Sequence, residues 1–138
     1  MSTGLTWWGS EAMKYSINAA LAPEALGPYS QGTTAGRLVF AAGQVAVRED
    51  DPSRLVDGGI TEQTERVIQI VSVLLAEAGC TLADVAQTTV YLADLDDLDA
   101  MNEVYGRHFV TPAPARSVME VARLPLGALV EMDCVACR

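Results

Sequence analysis

Residues 60–78 can be read only as an amphipathic helix, and that helix constrains everything around it. Val67, Ile70, Val71, Leu74, Leu75 and Ala78 recur at steps of three and four, and Gly79 follows as a C-terminal stop. An apolar helical face needs a second layer to pack on. The neighbouring segments supply strands. Residues 85–92 alternate and are rich in β-formers, with Gln87, Thr89 and Tyr91 on one face. Upstream, a short strand at 15–18 leads into a loop at 22–27, where Pro23, Gly27 and the following Pro28 forbid regular structure. Residues 30–34 and 38–42 read as a hairpin turned at Ala35-Gly36-Arg37. Residues 48–59 are polar, contain Pro52 and Gly58-Gly59, and read as loop. Downstream, Asp96 and Asp97 are positioned to cap a second helix over 98–109, whose Leu98, Met101, Tyr105 and Phe109 share a face. Two last strands fall near 116–121 and 129–136. The order β-β-β-α-β-α-β-β predicts an α+β fold, a sheet with two helices packed on one face.

A chain of 138 residues suits a single domain. That domain is expected over 14–138, behind an N-terminal extension at 1–13, flexible or docked, whose glycines and small polar residues dilute any period. Met13 offers an alternative start. Trp7 and Trp8 are costly to leave in water, so they dock on the body or on a neighbouring subunit, unless the extension is not native. Half of the residues are hydrophobic, which points to apolar surface buried between subunits. The net charge is −9 and the nine Lys and Arg are scattered, so no basic stripe tracks a nucleic-acid backbone. The N-terminus has no basic n-region, and no apolar run approaches the roughly 20 residues of a membrane span. The expected setting is cytoplasmic, with neither nucleic acid nor membrane as partner.

Several apparent motifs fail on chemistry. Asp94, Asp96, Asp97 and Asp99 lack the glycine and the twelfth-position glutamate of a calcium loop, and helix capping explains them. His108, the only histidine, has no nucleophile at a recognisable spacing and reads as structural. Cys134 and Cys137 form a C-x-x-C, but in a strand positions three apart point to opposite faces, so with Cys80 they read as buried free thiols. Neither a G-x-G-x-x-G nor a phosphate-binding loop occurs. No metal site is expected.

What remains is a pair of charged groups in β-patterned runs. Arg116, Val118 and Glu120 share one face of their strand, and Leu129, Glu131 and Asp133 share one face of the next. Were these two strands paired, Arg116 and a carboxylate would meet across them. Two readings stand. One is a structural ion pair, Arg116 with Glu131 or Asp133, locking the strands. The other is a binding site, because a guanidinium is the side chain best suited to grip a ligand carboxylate through two parallel hydrogen bonds.

Beyond this pair, a series of short segments in order resembles one family. They are Gly27-Pro28-Tyr29-Ser30-Gln31, Ala42-Gly43-Gln44, Ala78-Gly79, Thr88-Thr89-Val90-Tyr91-Leu92, and Asn102 with Tyr105. Pro114-Ala115-Arg116-Ser117, Glu120-Val121-Ala122-Arg123-Leu124-Pro125 and Val130-Glu131-Met132 complete the series. From Tyr15 to Arg138 the chain resembles the RidA (YjgF) family of reactive-intermediate deaminases, which hydrolyse enamines and imines to keto acids and ammonia.

The resemblance implies a chorismate-mutase-like fold of the bacillary type and a homotrimer with sites between subunits. It implies hydrolytic deamination of 2-enamine or 2-imino acids, such as 2-aminoacrylate and 2-iminopropionate, without a cofactor. Arg116 matches the arginine that binds the substrate carboxylate, and Glu131 the glutamate that positions or activates water. Tyr29, Gly43 and Asn102 match pocket-lining residues. One departure stands out. Many close members carry cysteine two residues after the arginine, where this chain has Val118. If that position supplies only backbone groups, valine preserves function and removes an oxidisable thiol. The alternative within the same family is a non-catalytic trimer that binds keto acids in a regulatory role. A third, an RNA-cleaving protein, conflicts with the acidic charge.

Overall fold

The computed structural model describes residues 13–138, so the expectations for Trp7, Trp8 and the rest of residues 1–12 lie outside the described residues. The elements follow the expected order. They are β1 (Lys14–Ile17), β2 (Gly32–Ala35), β3 (Leu38–Val45), α1 (Ile60–Glu77), β4 (Val85–Leu92), α2 (Leu98–His108), β5 (Ala115–Glu120) and β6 (Val130–Cys137). The six strands form one sheet in the order β1-β2-β3-β6-β4-β5. Every pairing is antiparallel except β4 with β5.

The apolar stripe of α1 explains which face of the sheet is covered. Val67, Ile70, Val71, Leu74 and Leu75 are fully buried, and they share one core with Val39, Val90, Met132 and Ala136. At the C-terminus of α1, Gly79 takes φ 78, a left-handed conformation that glycine adopts without a Cβ clash. Met101, Val104 and Tyr105 seat α2 beside α1 on the same layer. The alternation of β3 sends Val39 and Ala41 inward and leaves Leu38 and Phe40 exposed on the helix-free face, where Met119 of β5 is exposed as well. No helix among the described residues is long and apolar enough to cross a membrane.

Three expectations need correction. β5 does not pair with β6. It runs parallel to β4, as a strand returning through a helix must, and β6 lies on the other side of β4. The second helix is entered through a short 3-10 turn, Leu95–Asp97, capped by the Asp94 side chain, which accepts a hydrogen bond from the Asp96 N–H at 2.8 Å. Asp97 occupies the N-cap of α2 without a side-chain cap bond, and Asp96 caps nothing. Finally, Cys80 and Cys134 are buried but Cys137 is exposed, because it sits at the end of β6 on the helix-free face opposite Leu38.

His108 is structural in this fold. Its Nε2 lies 2.9 Å from both carboxylate oxygens of Glu65, linking α2 to α1.

Candidate active site

Glu131 sits where a strand irregularity makes room for it. β3 pairs with β6 on either side of a bulge between Ala41 and Gln44, and Gly43 lies within that bulge. A Cβ on Gly43 would collide with the Glu131 carboxylate, so the glycine is what leaves space for the acid. The carboxylate is half-buried, and among the described residues it takes part in no ion pair or hydrogen bond. Burial, and then the negative charge of nearby Asp133, hold its pKa above the ordinary carboxylate value. Asp133, by contrast, is engaged: Tyr91 donates its phenol proton to Asp133 Oδ2 at 2.9 Å.

Glu131 faces a cavity of about 550 Å³ whose walls include Gly43, Tyr29, Gln31 and Gln44. The loop that carries Tyr29 is fastened by one buried side chain. Gln31 Nε2 donates to the carbonyls of Ala19, Ala22 and Pro23, and its Oε1 accepts from the Ala19 N–H at 2.7 Å. The Gln31 carbonyl in turn accepts from the Ala42 N–H at 3.0 Å, next to the bulge. Gln31 thus ties both sides of the cavity together. At the far end, Gln63 of α1 accepts from the Leu129 N–H and fixes the entry into β6.

Arg116 lies in a different environment. It is at the exposed edge strand, level with Thr88 of β4, and its side chain turns toward α2. There its Nη1 donates to Asn102 Oδ1 at 2.7 Å, and the guanidinium carbon stands 4.7 Å from the ring centre of Tyr105. The Tyr105 ring is itself held by stacking on Phe109 and by a 2.7 Å hydrogen bond between its hydroxyl and that of Thr88. Val118, two residues on, faces the same way and packs against the core, while Glu120 accepts from the Leu95 N–H at 3.0 Å. Among the described residues Arg116 makes no ion pair. Its remaining N–H groups are free to fork onto an incoming carboxylate.

The expected meeting of Arg116 with Glu131 across paired strands does not occur within one chain. β4 separates their strands, and the two side chains point to opposite faces. Arg116 pairs in register with Thr88 and Glu131 with Tyr91, and residues three apart on β4 face opposite ways. The structural ion pair is likewise not formed, with Glu131 or with Asp133. The six candidates therefore fall into two groups: Glu131, Gly43 and Tyr29 around the cavity, and Arg116, Asn102 and Val118 on the β5–α2 side.

Similar chains occur among known proteins. The profile of the family described as Endoribonuclease L-PSP matches residues 19–138. A RutC family protein of Pyrococcus abyssi is 46% identical over 115 residues, 83% of this chain and 90% of the relative. The chain belongs to the RidA (YjgF) family. Within this family, human 2-iminobutanoate/2-iminopropanoate deaminase is 38% identical over 129 residues, 92% of each chain. The crystal structure of a Thermotoga maritima protein described as a putative endoribonuclease aligns with a TM-score of 0.87 at 37% identity, covering 91% of this chain and 98% of that one. The two-helix, six-stranded architecture is that of the solved structures of the family.

Sequence reasoning passed over the apolar walls of the cavity and the fastening role of Gln31. The signal for Gln31 was present: an amide in a segment reading as strand, flanked by Ser30 and Gly32, has to satisfy its carboxamide if it is buried. Which atoms satisfy it is not visible without the fold, because its partners are main-chain carbonyls of an irregular loop.

Proposed function

We propose that this protein hydrolyses 2-enamine and 2-imino acids to 2-keto acids and ammonia. The observation that carries the reading is the state of Glu131, a half-buried carboxylate with no partner among the described residues, facing a cavity in which a glycine leaves it room. An acid so held is costly unless it is used. The names borne by relatives point to the same chemistry.

Because Arg116 and Glu131 face opposite sides of one sheet, a ligand touching both requires two copies of the chain. The exposed Leu38, Phe40 and Met119 on the helix-free face offer such copies an apolar surface to bury. The assembly we propose is a homotrimer with a cleft at each subunit boundary, in which Arg116, Asn102 and Val118 of one copy meet Glu131, Gly43 and Tyr29 of the next.

In that cleft Arg116 grips the carboxylate of a 2-imino acid, with Asn102 and Tyr105 fixing the plane of the guanidinium. Backbone groups around Gly43 and Val118 orient substrate and water. Glu131 takes a proton from water as its oxygen adds to the imine carbon and passes that proton to the imine nitrogen, giving a carbinolamine. The carbinolamine hydroxyl then gives up its proton, which Glu131 relays to nitrogen as the carbon–nitrogen bond breaks, so ammonia leaves and the keto acid remains. Imines already hydrolyse in water, so a fixed substrate and one positioned base are sufficient, and no step draws on a metal or organic cofactor.

The decisive experiment generates iminopropionate in situ with an amino-acid oxidase and follows ammonia release. Acceleration over the uncatalysed rate is expected. Saturable keto-acid binding without acceleration would instead make the protein a non-catalytic binding module. The endoribonuclease wording attached to some relatives has no counterpart in charge here, with 18 acidic residues against nine Lys and Arg.

A further inference from the structure

The cavity beside Glu131 is lined more by apolar than by polar groups, with Glu24, Gln31, Gln44 and Ser53 adding polar atoms to those of the acid. Val45 and Val47 line one wall, and Leu26, Pro125 and Leu126 line the mouth. Two of these residues have no packing role within the chain. Leu26 is 84% exposed and Leu126 55% exposed, on separate loops, and neither belongs to the core. Leu126 is also the one non-glycine residue with positive φ among the described residues, at φ 60 and ψ 14. It stands in a short 3-10 turn between Pro125 and Gly127, which has φ 70.

Left-handed backbone is disfavoured for any residue with a Cβ, and asparagine or glycine would hold the same turn with less strain. Leucine is thus a poor choice for the backbone and a poor choice for water. Both are accounted for if its side chain meets an apolar group bound in the cavity, since strain of this kind collects at ligand clamps. The volume agrees: about 550 Å³ lies well inside the range of ligand-sized pockets and exceeds what a methyl or ethyl side chain fills.

Building on the deaminase reading, we propose that Leu26 and Leu126 form an apolar clamp that selects 2-imino acids with extended hydrocarbon side chains. The favoured substrates are the imines of norleucine, leucine or methionine, over those of alanine and 2-aminobutyrate. The carboxylate is held at the subunit boundary, the imine carbon lies at Glu131, and the hydrocarbon tail lies between the two leucines.

The test is a series of straight-chain imines made in situ from alanine, 2-aminobutyrate, norvaline and norleucine. With the native chain, kcat/KM is expected to rise about fourfold for each methylene that enters the apolar mouth. Leu126→Asn, which tolerates the left-handed turn, and Leu26→Ser, in a separate loop, should each flatten the series. Each should cut the norleucine-to-alanine ratio by about tenfold. A flat series with the native chain, or a loss in the variants that is equal at every chain length, overturns the clamp. Calorimetric binding of the matching 2-keto acids to the same three proteins reads the slope independently of turnover. A slope in binding without any imine hydrolysis would keep the clamp and break the deaminase reading, while no slope in either measurement would overturn the clamp.

Discussion

The two halves of the candidate site are built on opposite principles. On the β5–α2 side, Arg116 is held by Asn102 and laid over Tyr105, whose ring is fixed by Phe109 and Thr88. On the other face of the sheet, Glu131 is held by almost nothing: the bulge at Gly43 opens a space and no side chain among the described residues fills it. A group meant to recognise gains from having its geometry fixed before the ligand arrives. A group meant to exchange a proton gains from an environment that keeps its two protonation states close in energy near working pH. The contrast is consistent with the proposed division, recognition on the arginine side and proton transfer on the glutamate side.

The hardest test of this division mixes damaged chains. Arg116→Ala and Glu131→Gln should each lose on the order of 10²-fold or more in kcat/KM while remaining folded by circular dichroism. Arg116→Lys should recover little, because one ammonium cannot replace a fork. Unfolding the two inactive variants together and refolding them should restore about a quarter of native activity, the chance that a cleft draws an intact arginine from one chain and an intact glutamate from its neighbour. No recovery on mixing would mean that both groups act within one subunit, or that one of them does not act.

Removing the fixing of the guanidinium is a smaller blow. Asn102→Ala should lower kcat/KM about tenfold, the value of one hydrogen bond to a charged group, mainly through KM. A change confined to kcat would place Asn102 on the chemical side of the division.

The pH profile reads the other half. In the proposed mechanism Glu131 serves as a base only when ionised, so activity is expected to fall as pH drops through its pKa. Burial and Asp133 raise that pKa, so the fall should begin at higher pH than for an ordinary carboxylate. Asp133→Asn removes one of the two causes and should move this acid limb toward lower pH. A limb that stays put in Asp133→Asn would exclude Glu131 as the titrating group. The smallest effect is expected at Val118→Cys: rates within about twofold of native, as for a change that leaves the backbone in place, with a new sensitivity to peroxide.

Much of this was legible in the sequence, for identifiable reasons. The helix at Ile60–Glu77 and the strand at Val85–Leu92 announce themselves by period, and the order of all eight elements follows. The faces of Arg116 and of Glu131 within their own strands were also legible, since alternation alone fixes them. Which strand lies beside which was not. Period says nothing about neighbours, and β6, last in the chain, inserts between β3 and β4, so that two consecutive strands never touch. That insertion is what turns an apparent pair into two half-sites. The bulge at Gly43 was legible only as a motif, because its reason, the carboxylate of a residue far along the chain, appears once β3 and β6 are paired.

Gln31 grips only main-chain atoms, and that choice has an evolutionary consequence. Its amide recognises the carbonyls of Ala19, Ala22 and Pro23, groups that every amino acid carries. The exposed side chains of the loop from residue 20 to residue 28 are therefore released from the task of holding the loop in place, which buried Ala22 shares. Substitutions there, Leu26 included, can retune what enters the cleft while the wall itself keeps its course.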